Sequence, residues 1–457
     1  MNLSRIMIAG TNSGCGKTTV FCAILAAIKS LGCDIQPYKC GPDFIDPSYH
    51  SIICGKKSIN LDVFLSNQET LKSIVSYYSK NAEISMVEGV MGYYDGISAD
   101  SFEGSSYHIS KIIDTPVILV VNGRGMALSV CAQVNGYLNL FPDNKIKGII
   151  INDVFEDQYK KMKAVIEEKC NIKLYGFLSR NKEIQFTEKQ LGLVSAEDYI
   201  DANFINRLAE AAKKSIDINA IMDLASSVNE LKHNNDNQIK YSNKKKFNLA
   251  VAYDKAFCFY YEDNLRLLES NGANLIYFSP INDDTVPSNA HGIYFGGGYF
   301  DSNTEQLTSN IKMISSVKSI AGSGIPIYAE STGFVYLLSS LSYENKYYNL
   351  CNIIKGHAFK KDRLNNFGYH TLISLNDNIL SQKNTNIKSH QFTYYDSDVK
   401  FNAFKMMKKS HCKGNALYSE NNILAGFPYI YFHSNLNVAA NFCNACLTFK
   451  KNQEEHQ

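Results

Sequence analysis

The first thirty residues constrain the fold of this chain more than any other stretch does. An apolar run, RIMIAG, leads into GTNSGCGKTT at residues 10–19, and residues 17–31 have the periodicity of an amphipathic helix with Cys22, Leu25 and Ile28 on one face. A strand that passes through a glycine-rich turn into a helix presents backbone N–H groups and a helix N-terminus to an anion. We therefore predict a phosphate-binding loop made of Thr11, Asn12, Ser13, Gly14, Cys15, Gly16, Lys17, Thr18 and Thr19.

The order of side chains in this loop predicts binding of a nucleotide with Mg²⁺. Lys17 is placed to reach the β and γ phosphates, and the Thr18 hydroxyl is placed to become a ligand of Mg²⁺. The strict spacing requires glycine at Thr11, whereas this chain has Gly10 one position earlier. A chance glycine-rich turn is the alternative.

A second cluster of charged residues follows the next apolar strand. The segment YKCGPDFIDPSYH, residues 38–50, carries Lys39, Asp43, Asp46 and His50. Two carboxylates held by glycine and proline near a phosphate loop suit Mg²⁺ binding and the orientation of an electrophile. By itself the segment fits a solvated turn equally well, but beside the loop we expect Asp43 to bind metal and Lys39 to bind the nucleotide.

Two further carboxylates and one amide follow later strands. In ISMVEGVMGYYDG, residues 84–96, Glu88 ends an apolar strand and Asp95 lies one short loop further on. A carboxylate at the tip of a buried strand beside a phosphate loop usually holds Mg²⁺ directly or through water; helix capping is the alternative. Asp95 is placed to contact metal or substrate. Asn152, just past the strand in GIIINDV, either reads an adenine edge or is a plain turn residue.

The alternation of elements predicts two α/β domains. Strand-like runs at residues 84–87, 116–121 and 147–151 are separated by segments of helix length, as in a parallel sheet covered by helices. Residues 226–246 are polar, charged and unpatterned, which is typical of an exposed linker. We predict domains at 1–225 and 247–457, joined by a linker at 226–246, with 375–415 antiparallel or irregular.

Composition argues for a small-molecule substrate in a cytoplasmic protein. A formal net charge of +2 with 20% charged residues gives no electrostatic reason to expect nucleic acid or an anionic membrane as partner. The N-terminal residues lack a cationic segment followed by an apolar core, and no apolar run approaches the roughly 18 residues of a membrane span. The 12 cysteines are scattered along the chain, as expected of reduced thiols.

Ordered motifs along nearly the whole chain resemble the cobyrinic acid a,c-diamide synthase family. They are GTNSGCGKTT, KCGPDFIDPSYH, NLDVF, VEGVMGYYDG, YGFLSR and QLGLV, then VAYDKAFCFYYEDNLRLLESNGANLIYFSP, YFGGGYFD and PIYAESTGF. The resemblance implies an N-terminal P-loop domain with a mostly parallel sheet, similar to dethiobiotin synthetase, and a C-terminal class I glutamine amidotransferase-like α/β domain. It also implies that ATP with Mg²⁺ phosphorylates a corrinoid carboxylate and that ammonia then attacks the acyl phosphate, on the c and then the a acetate side chain.

The same resemblance assigns roles in the ligase half. Asp43, Glu88 and Asp95 match acidic positions important in that site, with Thr18, Asp43 and Glu88 as metal ligands and Asp95 acting on the substrate. Nickel-sirohydrochlorin a,c-diamide synthases share the architecture and motifs, so the identity of the tetrapyrrole stays open. The alternative from another class is a nucleotide-dependent binding protein that makes no amide. The sequence also leaves association into a homodimer open.

The second half departs from the family at its catalytic positions. The family reads AECGG where this chain has AESTG, so Ser331 replaces the nucleophilic cysteine. The family pattern SYLHLHF appears as GFPYIYF, which puts Tyr429 and Tyr431 at the two histidine positions, and we expect Tyr431 to lie opposite Ser331.

A serine hydroxyl is a weaker nucleophile than a thiolate and needs a strong adjacent base. We therefore predict a disabled glutaminase, with nitrogen supplied by free ammonia or a separate glutaminase rather than by glutamine. A serine rescued by His433 or His390 is the alternative.

Overall fold

A computed structural model describes residues 3–186, 196–231 and 245–455. The chain divides into two compact units, Met1–Ile239 and Lys240–Gln457. The motif QLGLV and most of the proposed linker lie outside the described residues, so the bounds 1–225, 226–246 and 247–457 stay a prediction. In the described part of the chain, no helix is long and apolar enough to cross a membrane.

The first unit is a parallel sheet covered by helices, as predicted. Its strands run in the spatial order β3-β2-β4-β1-β5-β6-β7, and every neighbouring pair is parallel. The strands are β1 (Arg5–Gly10), β2 (Ile35–Cys40), β3 (Ile59–Leu61), β4 (Ile84–Glu88), β5 (Val117–Asn122), β6 (Ile146–Asn152) and β7 (Leu174–Leu178). The helices are α1 (Lys17–Ser30), α2 (Ile45–Cys54), α3 (Gln68–Ser79), α4 (Ser106–Ile112), α5 (Ser129–Asn139), α6 (Glu156–Cys170), α7 (Ala196–Tyr199), α8 (Ala202–Ser215) and α9 (Ile218–Ser226).

Helix α1 differs from the expected amphipathic helix. Every residue from 19 to 28 is buried, so the helix is enclosed on all sides rather than on one face. Apolar residues of α8 and α9 share its hydrophobic cluster and cover the side that periodicity had left for solvent. The signal was hard to see because alanines and one threonine occupy that side, and small residues let neighbouring helices approach without appearing strongly apolar.

The centre of the sheet brings the predicted site residues to one edge. Strand β1 lies between β4 and β5, and β4 lies between β1 and β2. The register aligns Glu88 with Ile8 on one side and with Lys39 on the other. Because parallel strands end at the same edge, the loops after β1, β2 and β4 meet there. Alternate residues of each strand feed two hydrophobic clusters, one on either face of the sheet.

The second unit combines a mainly parallel sheet with two smaller sheets. The strand orders are β20-β21-β11-β10-β8-β9, β13-β12-β14-β17 and β19-β18-β15-β16-β22, the last being antiparallel throughout. Its strands are β8 (Phe247–Ala252), β9 (Ala273–Phe278), β10 (Ile293–Phe295), β11 (Ile327–Glu330), β12 (Leu338–Tyr343), β13 (Lys346–Asn349), β14 (Ile354–Lys360), β15 (Gly368–Ser374), β16 (Asn386–Gln391), β17 (Tyr395–Ser397), β18 (Phe404–Lys408), β19 (His411–Ala416), β20 (Tyr418–Glu420), β21 (Ile423–Gly426) and β22 (Tyr429–Ile430). The helices are α10 (Glu262–Ser270), α11 (Phe300–Ser309), α12 (Ile311–Gly322), α13 (Thr332–Leu337) and α14 (Asn437–Glu455). The expectation of antiparallel structure over 375–415 is confirmed.

Candidate functional site

The predicted phosphate loop connects β1 to α1 and is shaped by its glycines. Gly14 and Gly16 have φ angles of 80° and 90°, values that side-chain-bearing residues rarely adopt. At Gly10 an added Cβ would lie 2.4 Å from the sulfur of Cys15, so the loop folds back onto this position. This contact explains why glycine is present at position 10, while Thr11 is tolerated at the next.

Asn152 lies directly against this loop. Its Nδ2 donates a hydrogen bond to the carbonyl of Cys15 at 3.0 Å, and a Cβ on Gly16 would be 1.9 Å from the same nitrogen. The residue therefore braces the loop from the end of β6. Adenine recognition by Asn152 stays a prediction.

Glu88 is the centre of a buried network at the edge of the sheet. One carboxylate oxygen, Oε1, accepts a hydrogen bond from the Thr18 hydroxyl at 2.7 Å and lies 3.9 Å from the ammonium of Lys17. The other, Oε2, lies 2.8 Å from Nε2 of His50 and 3.3 Å from Nζ of Lys39. Burial by itself would raise the pKa of Glu88, but Lys39, His50 and Lys17 outweigh it and lower that pKa below its usual value. Glu88 is therefore ionised and held on both sides.

Lys39 supplies charge from inside the network. Its ammonium pairs with the Asp46 carboxylate as well as with Glu88, and it donates to the carbonyl of Gly89 at 3.3 Å. Burial would lower the Lys39 pKa, but the neighbouring carboxylates Asp46, Glu88 and Asp43 raise it above the usual value. The structure therefore shows Lys39 balancing carboxylates; its contact with nucleotide stays a prediction.

Asp43 and Asp95 both accept hydrogen bonds from nearby backbone N–H groups, and a role for either with metal or substrate stays a prediction. The two oxygens of Asp43 accept from the N–H groups of Ile45, at 2.9 Å, and Asp46, at 3.3 Å, at the start of α2. Burial and the charge of Asp46 raise the Asp43 pKa to about 6. Oδ2 of Asp95 accepts from the N–H of Gly92 at 2.9 Å.

Asp95 also lies next to the phosphate loop. A Cβ on Gly92 would be 2.5 Å from Oδ2 of Asp95 and 2.7 Å from the carbonyl of Thr11, so one glycine separates the carboxylate from the loop. The hydroxyl of Tyr137 donates to that same Thr11 carbonyl. The carboxylate and the start of the loop therefore form one local surface.

The oxygen donors at the loop fit Mg²⁺. The Thr18 hydroxyl and Oε1 of Glu88 are 2.7 Å apart, and hard oxygen ligands of this kind, with water and phosphate oxygens, are what Mg²⁺ prefers. Over the described residues, no group of three or more His, Cys, Asp or Glu side chains is arranged to hold a metal.

His50 is the site residue to which sequence reasoning gave no role. It is fully buried, contacts Glu88 through Nε2, and has Nδ1 3.2 Å from the Ser58 hydroxyl. A signal was present: Asp46 and His50 are four residues apart on α2 and therefore share a helix face. The signal was weak because a histidine on a buried face is more often a core residue.

The second unit contains the predicted sharp turn between a strand and a helix. Strand β11 ends at Glu330, α13 begins at Thr332, and Ser331 between them has φ 52° and ψ −115°. A Cβ on Gly333 would lie 2.5 Å from the carbonyl of Phe295, so the helix starts tightly against β10. Such turns display a nucleophile in many α/β enzymes.

The structure brings Tyr429 rather than Tyr431 to Ser331. The side chains of Ser331 and Tyr429 share a hydrogen bond, and the Tyr429 hydroxyl packs on Gly297, where a Cβ would be 1.9 Å away. The Tyr431 hydroxyl donates to Oδ2 of Asp263 at 2.9 Å instead. Residues two apart share a face only while a strand continues, and β22 ends at Ile430, so Tyr431 turns away.

Comparisons with known proteins show the family of this chain. A family model described as CobQ/CobB/MinD/ParA nucleotide binding domain matches residues 6–193, and one described as CobB/CobQ-like glutamine amidotransferase domain matches residues 248–435. A cobyrinate a,c-diamide synthase from Priestia megaterium is 34% identical over 461 residues, covering 100% of both chains. The chain belongs to the cobyrinate a,c-diamide synthase family.

Other members show the same full-length match. The synthase from Listeria innocua is 36% identical over 95% of this chain and 97% of its own, and that from Clostridium tetani is 35% identical over 95% and 98%. Among solved structures, chloroplast FtsY from Physcomitrella patens gives a TM-score of 0.30 at 13% identity, over 46% of this chain and 66% of that chain. That likeness is too low to bear on the fold.

Relative to the AECGG motif of the family, a second substitution fills the turn. Thr332 stands at the first glycine of that motif, and its hydroxyl accepts a hydrogen bond from the N–H of Gly298 at 3.0 Å. Thr332 therefore occupies a backbone donor of the glycine-rich segment 296–298, which lies beside the turn.

In the described part of the chain, the hydrogen-bond partner of the Ser331 side chain is the phenol of Tyr429. Burial raises the Tyr429 pKa above its usual value, so this phenol stays protonated. Both ring nitrogens of His433 lack a hydrogen-bond partner in the described part of the chain, and its Nε2 is 3.9 Å from Oδ1 of Asp263. Burial lowers the pKa of His433 and of His390 to about 3, so neither would hold a proton well.

Proposed function

We propose that this protein is an ATP- and Mg²⁺-dependent ligase that converts the a and c acetate carboxylates of cobyrinate into amides. Relatives named for that reaction align with the whole chain at 34–36% identity. The observation that carries the proposal is the network at Glu88, which joins Lys17 and Thr18 of the phosphate loop to the buried ammonium of Lys39. A site that transfers a phosphoryl group to a carboxylate must bring anions together, and Lys17 with the loop N–H groups would supply the opposing charge.

The residues of the first unit divide the work of the reaction. The loop N–H groups and Lys17 would bind the phosphates, while Thr18 and Glu88 would hold Mg²⁺. The ion, when bound, neutralises charge on the β and γ phosphates. Asp95, beside the start of the loop, would orient the incoming substrate. Asp43, with both oxygens on backbone N–H groups, would order the segment that carries Asp46.

The chemistry then proceeds in two substitutions. A substrate carboxylate oxygen attacks the γ phosphorus, and the bond to ADP breaks to give an acyl phosphate. Ammonia attacks the acyl carbon, phosphate leaves, and loss of a proton from nitrogen gives the amide.

We further propose that the nitrogen comes from ammonia, either free or delivered by a separate glutaminase. Three contacts support this. Ser331 is hydrogen-bonded to Tyr429, Tyr429 packs on Gly297, and the Thr332 hydroxyl accepts a hydrogen bond from the N–H of Gly298. Together they fill the space beside the turn where a glutamine amide would have to lie. Ser331 itself is only 2% exposed.

The test is amide formation by the purified full-length chain, followed by mass spectrometry. Cobyrinate with ATP and Mg²⁺ should give mono- and diamide products with ammonium salts and little product with glutamine. Parallel reactions with nickel-sirohydrochlorin separate the two tetrapyrroles, and product from that compound alone would replace cobyrinate as substrate. ATP binding without amide from either compound would favour a nucleotide-dependent binding protein. Efficient use of glutamine that disappears in Ser331→Ala would refute the ammonia proposal.

A further inference from the structure

His50 lies in α2 and connects that helix to Glu88, the carboxylate at the end of β4. The residue is 0% exposed, and its ring centroid lies 4.5 Å from that of Phe21 in α1. Packing on Phe21 fixes the plane of the imidazole, while Glu88 and Ser58 define its two ends. The ring therefore has little freedom to turn.

The hydrogen-bond partners determine which ring nitrogen carries the proton. An ionised carboxylate accepts hydrogen bonds and cannot donate, so Nε2 of His50 must donate to Oε2 of Glu88 across 2.8 Å. In the neutral ring Nδ1 is then an acceptor, and the Ser58 hydroxyl, at 3.2 Å, is its donor. Glu88 thus selects the tautomer with the proton on Nε2, and the Ser58 hydroxyl, which can donate, completes the hydrogen bonding of the ring at Nδ1.

This bond also decides which way the Glu88 carboxylate faces. Lys39 lies 3.3 Å from Oε2 as a charge on a flexible stem, whereas the imidazole is rigid and gives a direction. With Oε2 held by His50, Oε1 is left 2.7 Å from the Thr18 hydroxyl, at the place where Mg²⁺ would bind.

We propose that His50 is a positioning residue that, with Ser58 behind it, orients Glu88 for the Mg²⁺ of the bound nucleotide. The inference rests on the proposed Mg²⁺–ATP site and adds the residues that set its geometry. Mutation of a residue that is hydrogen-bonded to a metal ligand typically lowers metal affinity or activity by about 10- to 100-fold.

Two substitutions separate this role from simple packing. In His50→Gln the amide nitrogen reaches about as far as Nε2 and keeps a donor for Glu88. In His50→Asn the shorter amide reaches about as far as Nδ1, so it serves the Ser58 side and loses the donor to Glu88. Both are neutral and smaller than histidine, which makes them matched controls for the cavity that each leaves.

The measurement is the Kd of a non-hydrolysable ATP analogue by titration calorimetry, with Mg²⁺ and with EDTA. The Mg²⁺-dependent gain in affinity should be about tenfold smaller in His50→Asn than in the wild type, while the Kd in EDTA stays the same. In His50→Gln the gain should be within about threefold of the wild-type value. Equal gains in the two variants, or equal weakening with and without Mg²⁺, would overturn the proposal. A wild-type protein without any Mg²⁺-dependent gain would instead refute the proposed function at its metal site.

A second measurement, of the His50 tautomer by NMR, does not depend on nucleotide binding. In ¹⁵N-histidine-labelled protein, the signals missing from His50→Gln identify His50, and their shifts report the tautomer. We expect a proton on Nε2 and none on Nδ1 in the wild type. A proton on Nδ1 would contradict the proposal, including where His50→Asn proves too unstable to purify.

Discussion

The backbone at Ser331 predicts that glycine there will be more stable than alanine. With φ 52° and ψ −115°, the residue lies where a side chain is strained by about 1–3 kcal/mol. At an ordinary position, changing alanine to glycine lowers stability by roughly 0.5–1 kcal/mol because the unfolded chain gains freedom. Relief of strain should exceed that loss, so Ser331→Gly should be more stable than Ser331→Ala by about 1 kcal/mol.

The comparison uses two variants because both remove the hydrogen bond to Tyr429. That loss therefore cancels between them, and only the backbone term remains. Thermal unfolding followed by circular dichroism should show a midpoint for Ser331→Gly that is roughly 2–4 °C higher for a unit of this size. A midpoint for Ser331→Ala equal to or above that of Ser331→Gly would show that the turn is not strained, and the reasoning would fail.

Four other substitutions, in three predictions, test the two units. Ser331→Cys alone should show no glutamine hydrolysis in an ammonia-release assay, because Tyr429 still fills the adjacent space; clear hydrolysis would contradict the filled-site account. Gly16→Ala should abolish ATP binding in calorimetry, because its Cβ would lie 1.9 Å from the Asn152 amide. In Gly14→Ala the new Cβ meets nothing within 4 Å, so that variant should bind ATP with only a modest loss of affinity from backbone strain. Equal ATP affinities in the two variants would refute the steric argument. Burial raises the Glu330 pKa to about 7, so stability should fall by up to about 3 kcal/mol as pH rises from near 4.5 through 7. Urea titrations at several pH values give the free energy of unfolding, and in Glu330→Gln that free energy should lack this part of the pH dependence. An unchanged pH dependence would exclude Glu330 as its source.

The sequence predicted the sites that depend on local order. A glycine-rich loop between a strand and a helix has few possible conformations, and parallel strands bring their ends together, so the loop residues and Glu88 could be assigned from spacing alone. Helix α1 was assigned as a helix, but its burial on all sides depends on α8 and α9, nearly 200 residues away. Nothing within α1 itself reports that contact.

What could not be predicted depends on side-chain geometry across distant segments. The choice of Tyr429 over Tyr431 follows from β22 ending at Ile430, a boundary of one residue that no propensity fixes. The role of His50 depends on Ser58 and Glu88, which lie 8 and 38 residues away. In both cases the sequence supplied the right segment and left the partner undetermined.

The two units satisfy their buried polar groups in opposite ways, and the difference bears on function. In the first, Lys39 and Glu88 are charged groups taken out of water, an arrangement that apolar side chains of similar volume would often match or exceed in stability. Stability alone therefore does not account for it, whereas binding a polyanion beside a carboxylate does. In the second, the neutral hydroxyls of Ser331 and Thr332 are bonded to Tyr429 and to a backbone N–H, so these groups are paired without a substrate. A ligand entering there would have to break those bonds and displace a buried phenol, whereas a nucleotide entering the first unit would meet ammonium and N–H groups already directed at the edge of the sheet.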